Sequence, residues 1–539
     1  MSSAKSVIKS KSTSGAAKFC SVVTALFTLM SLNAQQVQLM RSPMVVGIVV
    51  EGLSEDYLTL LRDCMPDGGF KRLMRDGLTI SDIRYGTRLD PQAAAAVLLT
   101  GAAPGVNGVA ARTYFNPETG VSAAALLDSR MPGNFSDETL SPKGLKVSTL
   151  SDEVRIDTDG AGYVYSLAAD PQTAIIGAGH AGNGAFWINE HTGHWASSAY
   201  YRDMPSAVSN RNYSNPLHAR LDTIRWVPSM AMESYPLLSK AERAERFSHT
   251  YPQRDFDRFR RLRSTPPGNT EVTDLALELI ASAGLGKDTD MDMLQLSYTL
   301  TPEGASRAEI MDAYLRLDRD LARLFAAIDR QAGFGRSAIF LAGVPSAAGA
   351  TADDPRWKTP AGEFSVPKAK SLLGMHLMTL HGNGEWLQAY NNRQFWLNRK
   401  LITDRGLDLA TFRAECADFL ARMAGIVNVY TIDDIIAARA GEDPAALKRN
   451  TPVEHCGDIF IEVNPGWSIT EETHTKQSKQ RRTVERADAS RFPAFILAPG
   501  LQGRRIDYPV DARSIAPAVA RVIRIRAPSA ASTPAFPVE

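Results

Sequence analysis

The sequence predicts an α/β fold: a doubly wound, mostly parallel sheet with helices on both faces and inserted cap subdomains. Three observations carry that expectation. Short continuous apolar runs, such as MVVGIVVE at 44–51 and SAIFLAG at 337–343, suit strands buried on both faces. Segments with helical spacing alternate with those runs. The 539 residues, 44% hydrophobic and 22% charged, supply a large core with the balance of an ordinary globular protein. A formal net charge of +1 argues against a nucleic-acid partner.

At the N-terminus, Lys5, Lys9, Lys11 and Lys18 precede an apolar run from Phe19 to Leu32, and Ser31-Leu32-Asn33-Ala34 has the form of a signal-peptidase site. Residues 1–34 therefore read as a secretory signal, and the protein as exported to the periplasm or cell surface. The run is short for a membrane span, and no later stretch is long and apolar enough for one. Three cysteines remain after cleavage, Cys64, Cys416 and Cys456. Cys416 and Cys456 could pair, but the spacings form neither a disulfide framework nor a metal site.

The first core segment, 35–191, opens with the apolar run that places Glu51 at a strand's carboxyl end, where open α/β sheets bind ligands. Helical spacing follows at 69–74. The stretch TRLDPQAAAAVLLTGAAPGVNGVAART (87–113) reads as a loop feeding a buried apolar segment, Ala93 to Leu99, then two glycine turns. Its four alanines at 93–96 offer no nucleophile, base or metal ligand. VSTLSDEVR (147–155) reads as a helix; GYVYSLAA (162–169) and TAIIGAG (173–179) read as short strands, or a strand and a loop.

Residues 192–268, rich in Tyr, Arg, Pro and Asn, read as an inserted cap whose basic run Arg254–Arg263 is a solvated face. The second core segment, 269–367, contains a helix at 270–286 ended by glycine, a strand at 291–298, an amphipathic helix at 308–333 and the strand at 337–343. A second insertion covers 368–457. The last core segment, 458–539, has strands at 458–467 and 492–500, a closing helix at 514–525 and a loose Pro- and Ser-rich tail after Ala527. There is no internal repeat.

Segments including VVGIVVEGLSEDYL, GGFKRLMRDGL, LLTGAAPGVNGV, SPKGLKVSTLSDEV, AGHAGNGAFW and VNPGWSI carry a resemblance that runs from Val45 to about Pro528. The chain resembles the exported alkaline phosphatases of the type I phosphodiesterase/nucleotide pyrophosphatase group, within the alkaline phosphatase superfamily. The resemblance implies an alkaline-phosphatase-like sheet and two zinc ions held by Asp and His side chains, which clamp the attacking and leaving oxygens of a phosphoryl group. It also implies a Thr or Ser nucleophile, with Asn, Lys and Arg gripping phosphate.

Carried residue by residue onto this sequence, that machinery is replaced. The first metal-binding Asp corresponds to Glu51, which keeps a carboxylate. The nucleophile falls at about Pro91, the phosphate-binding Asn at Arg112, and the gripping Lys and Arg at Asp170 and Gln172. Met293 to Met311, where an Asp and a His are expected, contains neither. The adjacent Asp-His pair is Val344-Pro345, and the last His falls at Arg482, with His474 just outside its window.

Other candidates are weak. His180 is more simply structural than a base. His191 and His194 stand at HxxH spacing on a turn rather than a helix. His376 and His381 lie in the second insertion without carboxylates at useful spacing. No GxSxG, Walker or GxGxxG pattern follows a strand. The expected function is a non-catalytic binding or scaffolding protein with no cofactor, its partner an unknown protein or a small anion. One alternative is an active phosphoric ester hydrolase with rearranged zinc ligands. Another is metal-free anion binding at Arg112, Arg482 and His180.

Overall fold

The computed structural model describes residues 41–302, 304–346, 362–464, 467–471, 481–484 and 491–538; the expected signal at 1–34 lies outside them. The central sheet has eleven strands. In chain order these are β1 (Met44–Glu51), β2 (Leu78–Arg84), β3 (Gly133–Asn134), β4 (Val164–Ala168), β5 (Gly184–Ile188), β6 (Trp195–Ser198), β7 (Asp292–Thr299), β8 (Ala338–Val344), β9 (Phe492–Leu497), β10 (Arg504–Ile506) and β11 (Val510–Asp511). Across the sheet they lie in the order β10-β2-β9-β8-β1-β7-β4-β5-β6-β3, with β11 also on β2. The run β8-β1-β7-β4-β5 is parallel throughout. Antiparallel partners appear only beyond it, at β9 on one side and β6 on the other.

β1 shows why the apolar runs read as strands. Val46, Ile48 and Val50 enter one core cluster, while Val45 and Val49 enter the cluster on the opposite face. A strand covered on both sides needs apolar residues at every position, not at alternate ones.

Among the helices that contribute to these two clusters are α1 (Pro91–Thr100) and α2 (Pro171–Ala178) on one face, and α3 (Pro266–Ala283) and α4 (Arg307–Gln331) on the other. One of them sharpens the sequence reading and another corrects it. The stretch 93–99 is the body of helix α1, with Asp90 as N-cap and Gly101 left-handed at φ 65° closing it. TAIIGAG lies in a helix rather than a strand or a loop. Asp170 accepts the Thr173 N–H as N-cap, Pro171 takes the first helical position and Gly179 ends it. Its apolar residues are nearly all buried, so no polar stripe marked it as a helix.

The expected cap segment contributes β6 to the central sheet before it leaves it. The rest is anchored on α4 through buried Asp312, whose carboxylate accepts from Trp226 Nε1 (2.7 Å), the Ser229 N–H (2.8 Å), Tyr235 Oη (2.8 Å) and Arg316 Nε (2.6 Å). His249 adds a contact to Glu309 on the same helix. The basic run is solvated at Arg260 and Arg261, which pair with Asp257 and Asp255. Arg263 departs from that reading: it is buried and binds Glu190 Oε2 at 2.5 Å.

Two further readings are corrected. Strand Ile459–Val463 joins no core strand; it pairs with Gln394–Leu397 and Ile426–Thr431 in a separate four-stranded sheet, so the second insertion extends past 457. The tail is not loose, because Phe536 and Val538 are buried in the main core and the Ser529 N–H donates to Ser148 Oγ at 2.8 Å. Cys416 and Cys456 are separate buried thiols. No helix among the described residues is long and apolar enough to cross a membrane.

Replacing Asp312 by Ala removes a carboxylate that satisfies four donors and leaves the Arg316 guanidinium with the Val227 carbonyl but without its carboxylate. The expected loss is about 3 kcal/mol. Limited proteolysis checks it: the Asp312→Ala protein is expected to be cut within 220–250 before the sheet unfolds. Cleavage rates equal to wild type would contradict the anchoring role.

Candidate functional site

Three parallel strands end level with one another. The register sets Glu51 of β1 opposite Thr299 of β7 on one side and Val344 of β8 on the other. Neutral groups hold the turns just beyond. Tyr314 Oη donates to the Gly52 carbonyl (2.8 Å) and accepts the Ser54 N–H (2.7 Å). The Gly52 N–H reaches the Val344 carbonyl at 2.9 Å, and the Thr301 and Ser346 hydroxyls bond to each other. Gly52 has to be glycine here: its φ is +77°, and a Cβ would lie 2.6 Å from the Thr301 side chain. Val344 is buried, with Pro345 following it at the strand end.

The start of α1 lies at this edge. Pro91 is its first residue, buried, with neither a side-chain oxygen nor an N–H. Asp90 takes the N-cap position without capping; its Oδ2 instead accepts the Arg112 N–H at 3.0 Å. From there the Arg112 side chain reaches Asp170, with Nη2 and Oδ2 3.3 Å apart. Asp170 also caps α2 through Thr173 N (3.0 Å) and Thr173 Oγ1 (3.1 Å). Gln172 is buried and works on the backbone: Oε1 accepts the Leu126 N–H at 3.2 Å, and Nε2 donates to the Arg112 carbonyl at 3.0 Å.

The charges form an alternating belt over the ends of β1, β4 and β5. Asp170 foremost, against the cost of burial, and then Glu190, Glu51 and Asp90 push the Arg112 guanidinium above its ordinary value. Burial alone would raise the Asp170 carboxyl; Arg112, Arg263 and the Thr173 bonds outweigh it and hold the group below the usual carboxylate range. Glu51, Arg112, Asp170 and Val344 therefore belong to one edge of the sheet.

One candidate, His180, does not join them. His180 follows the far end of α2, roughly 12 Å along the helix from Asp170. Its Nε2 meets the Leu145 carbonyl at 2.8 Å and its Nδ1 lies 3.4 Å from Asp152 Oδ2. The Asp152 hydrogen bond raises its basicity, and both ring nitrogens face acceptors of the protein itself. Arg482 stands in the strand Arg481–Val484, opposite Thr470 in a sheet separate from the central one; its side chain and all of His474 lie outside the described residues.

Other residues of this edge escaped the sequence reading. Asp90 had a signal, an acid directly before a helix-starting proline. Glu190 follows the end of β5, but its partner Arg263 lay in a run that looked uniformly solvated. His376 and His381 do have a carboxylate, Glu415, which packs in from the facing helix Leu409–Ala421; His381 Nε2 lies 2.8 Å from its Oε2.

The residues present do not fit the two zinc ions that the resemblance implies. Val344 and Pro345 offer alkyl groups where the resemblance implies a carboxylate and an imidazole, and Pro91, where it implies the nucleophile, offers no oxygen. Glu51 remains a donor, but it lies in the field of the Arg112 guanidinium. Among the described residues no group of three or more His, Cys, Asp or Glu side chains is arranged to hold a metal ion.

The parallel sheet and the position of this edge define an alkaline-phosphatase-like architecture, and comparisons with known proteins agree. The family model for type I phosphodiesterase / nucleotide pyrophosphatase matches residues 45–487. The chain belongs to that family. It is 26% identical over 524 residues to alkaline phosphatase PafA of Elizabethkingia meningoseptica, covering 93% of this chain and 95% of that one. It is 26% identical over 517 residues to alkaline phosphatase PhoV of Synechococcus elongatus, covering 91% of each. The crystal structure of wild-type PafA superposes with a TM-score of 0.80 at 25% sequence identity, covering 92% of this chain and 98% of that one.

The ion pair carries a signed prediction. The folded Asp170 carboxyl is depressed, so its stabilisation is present above the unfolded value of about 3.9 and is lost as pH falls through the lower folded value. Arg112 is close to half exposed, which limits the effect of Arg112→Ala to about 1 kcal/mol at neutral pH. Urea unfolding is expected to show that gap narrowing below about pH 4. A gap that widens with acid would contradict the pairing.

Proposed function

We propose that this protein is a non-catalytic member of the family, an exported binding or scaffolding protein that keeps the phosphatase scaffold without two-zinc phosphoester hydrolysis. The observation that carries the reading is the identity of the side chains at the strand ends. By the family resemblance, Pro91 falls at the nucleophile position and Val344-Pro345 at the metal-ligand pair. Phosphoryl transfer needs a nucleophile and a cluster of positive charge around the phosphate oxygens. Here the single cation of the former grip, Arg112, is neutralised by Asp170 and flanked by Glu51 and Asp90. An incoming phosphate dianion would meet more negative than positive charge.

The reading of residues 1–34 as a secretory signal supports export, and the bound partner would be held at the same edge of the sheet. A second reading, hydrolysis of phosphate esters, is favoured by one observation: full-length relatives are alkaline phosphatases. It requires zinc ligands other than those at the aligned positions, with Glu51 among them.

An assay of the purified protein with added zinc and an aryl phosphate separates the two. The expected result is turnover no higher than that of a Pro91→Gly control. Zinc-dependent turnover well above that control would overturn the non-catalytic reading.

A further inference from the structure

A cavity of about 300 Å³ opens beside Arg112, between the hairpin Thr113–Ala124, the loop 127–140 and the start of α2. Its walls are of two kinds. Leu127, Leu140 and Pro171 give it an aliphatic side. Arg112, Asp137 and Glu138 give it charge.

The charges do not cancel. Arg112 is matched by Asp170 at 3.3 Å. Glu138 Oε2 accepts from Trp187 Nε1 (2.9 Å) and Ser136 Oγ (3.1 Å), both neutral donors. Burial raises the Glu138 carboxyl above its ordinary value; the Ser136 bond and the charge of Arg263, whose guanidinium is bound to Glu190, offset this only in part. Asp137 is exposed at the rim and forms no ion pair among the described residues. Two carboxylates thus face the cavity without a cation of their own. An entering anion would have to take Arg112 from Asp170 while passing Asp137 and Glu138, whereas an entering cation needs no rearrangement.

We infer that this cavity binds an alkylammonium group, with the aliphatic stem against Leu127, Leu140 and Pro171 and the ammonium between Asp137 and Glu138, and that it does not take phosphate. The inference rests on the proposed function, since it assigns the ligand class of the edge from which phosphate chemistry is absent. The same chemistry can come from a free amine or from the lysine side chain of a partner protein. Butylamine and N-acetyl-lysine amide represent the two sources.

Calorimetric titration of the purified protein tests the assignment, with inorganic phosphate as the third ligand. Both amines are expected to bind and phosphate to give no heat. Tighter binding of the capped lysine assigns the partner's lysine, and tighter binding of butylamine assigns a free amine. Asp137→Asn, at an exposed position that tolerates the change, and Glu138→Gln are each expected to weaken amine binding about fivefold. Absence of amine binding, binding unchanged in both variants, or a preference for phosphate overturns the assignment. Those outcomes are independent of the aryl phosphate assay: zinc-dependent turnover overturns the non-catalytic reading whatever the amines do.

Discussion

A charged side chain at the end of a buried sheet must find an opposite charge or leave the interior. At the strand ends of this protein half-exposed Arg112 pairs with Asp170, and several neighbouring segments meet at that pair. Asp170 is also the N-cap of α2, so the ion pair couples the loop after α1 to the start of the next helix. Gln172, two residues on, binds the Arg112 carbonyl and fixes the same loop from the backbone side. Asp90 holds the Arg112 N–H and thereby ties the start of α1 into the network. Arg263 and Glu190 extend the alternation across the end of β5 and bring the inserted segment into contact with the core.

The other constraint at this edge is the register of three parallel strands. With Glu51, Thr299 and Val344 level, the turns beyond them converge on a small volume. They are closed by the Tyr314 hydroxyl, the Thr301–Ser346 pair and the valine side chain. These contacts are neutral or apolar, and each is satisfied within the protein. The backbone thus retains the family's architecture, with a TM-score of 0.80 to PafA, while the side chains at the edge stabilise it through neutral contacts and paired charges.

Much of this was legible in the sequence, and the exceptions share one cause. Strands buried on both faces appear as continuous apolar runs, and β1, β7, β8 and β9 fell where those runs lie. Helix α2 failed the same test because a helix buried nearly all round has the composition of a buried strand; its caps, Asp170 and Gly179, were the better signal. The positions Glu51, Arg112, Asp170 and Val344 came from the resemblance; the register sets Glu51 level with Val344, and an ion pair joins Arg112 to Asp170. Contacts between distant segments were not legible. Arg263 with Glu190, His381 with Glu415, and Phe536 in the core all depend on packing that no local pattern announces.

The central claim is that the strand-end side chains cannot hold a pair of zinc ions. Elemental analysis of the protein, purified from zinc-supplemented medium and dialysed, tests it most directly. The account predicts well under one equivalent of zinc per chain. Two tightly held equivalents, lost on replacing Glu51 by Ala, would contradict it.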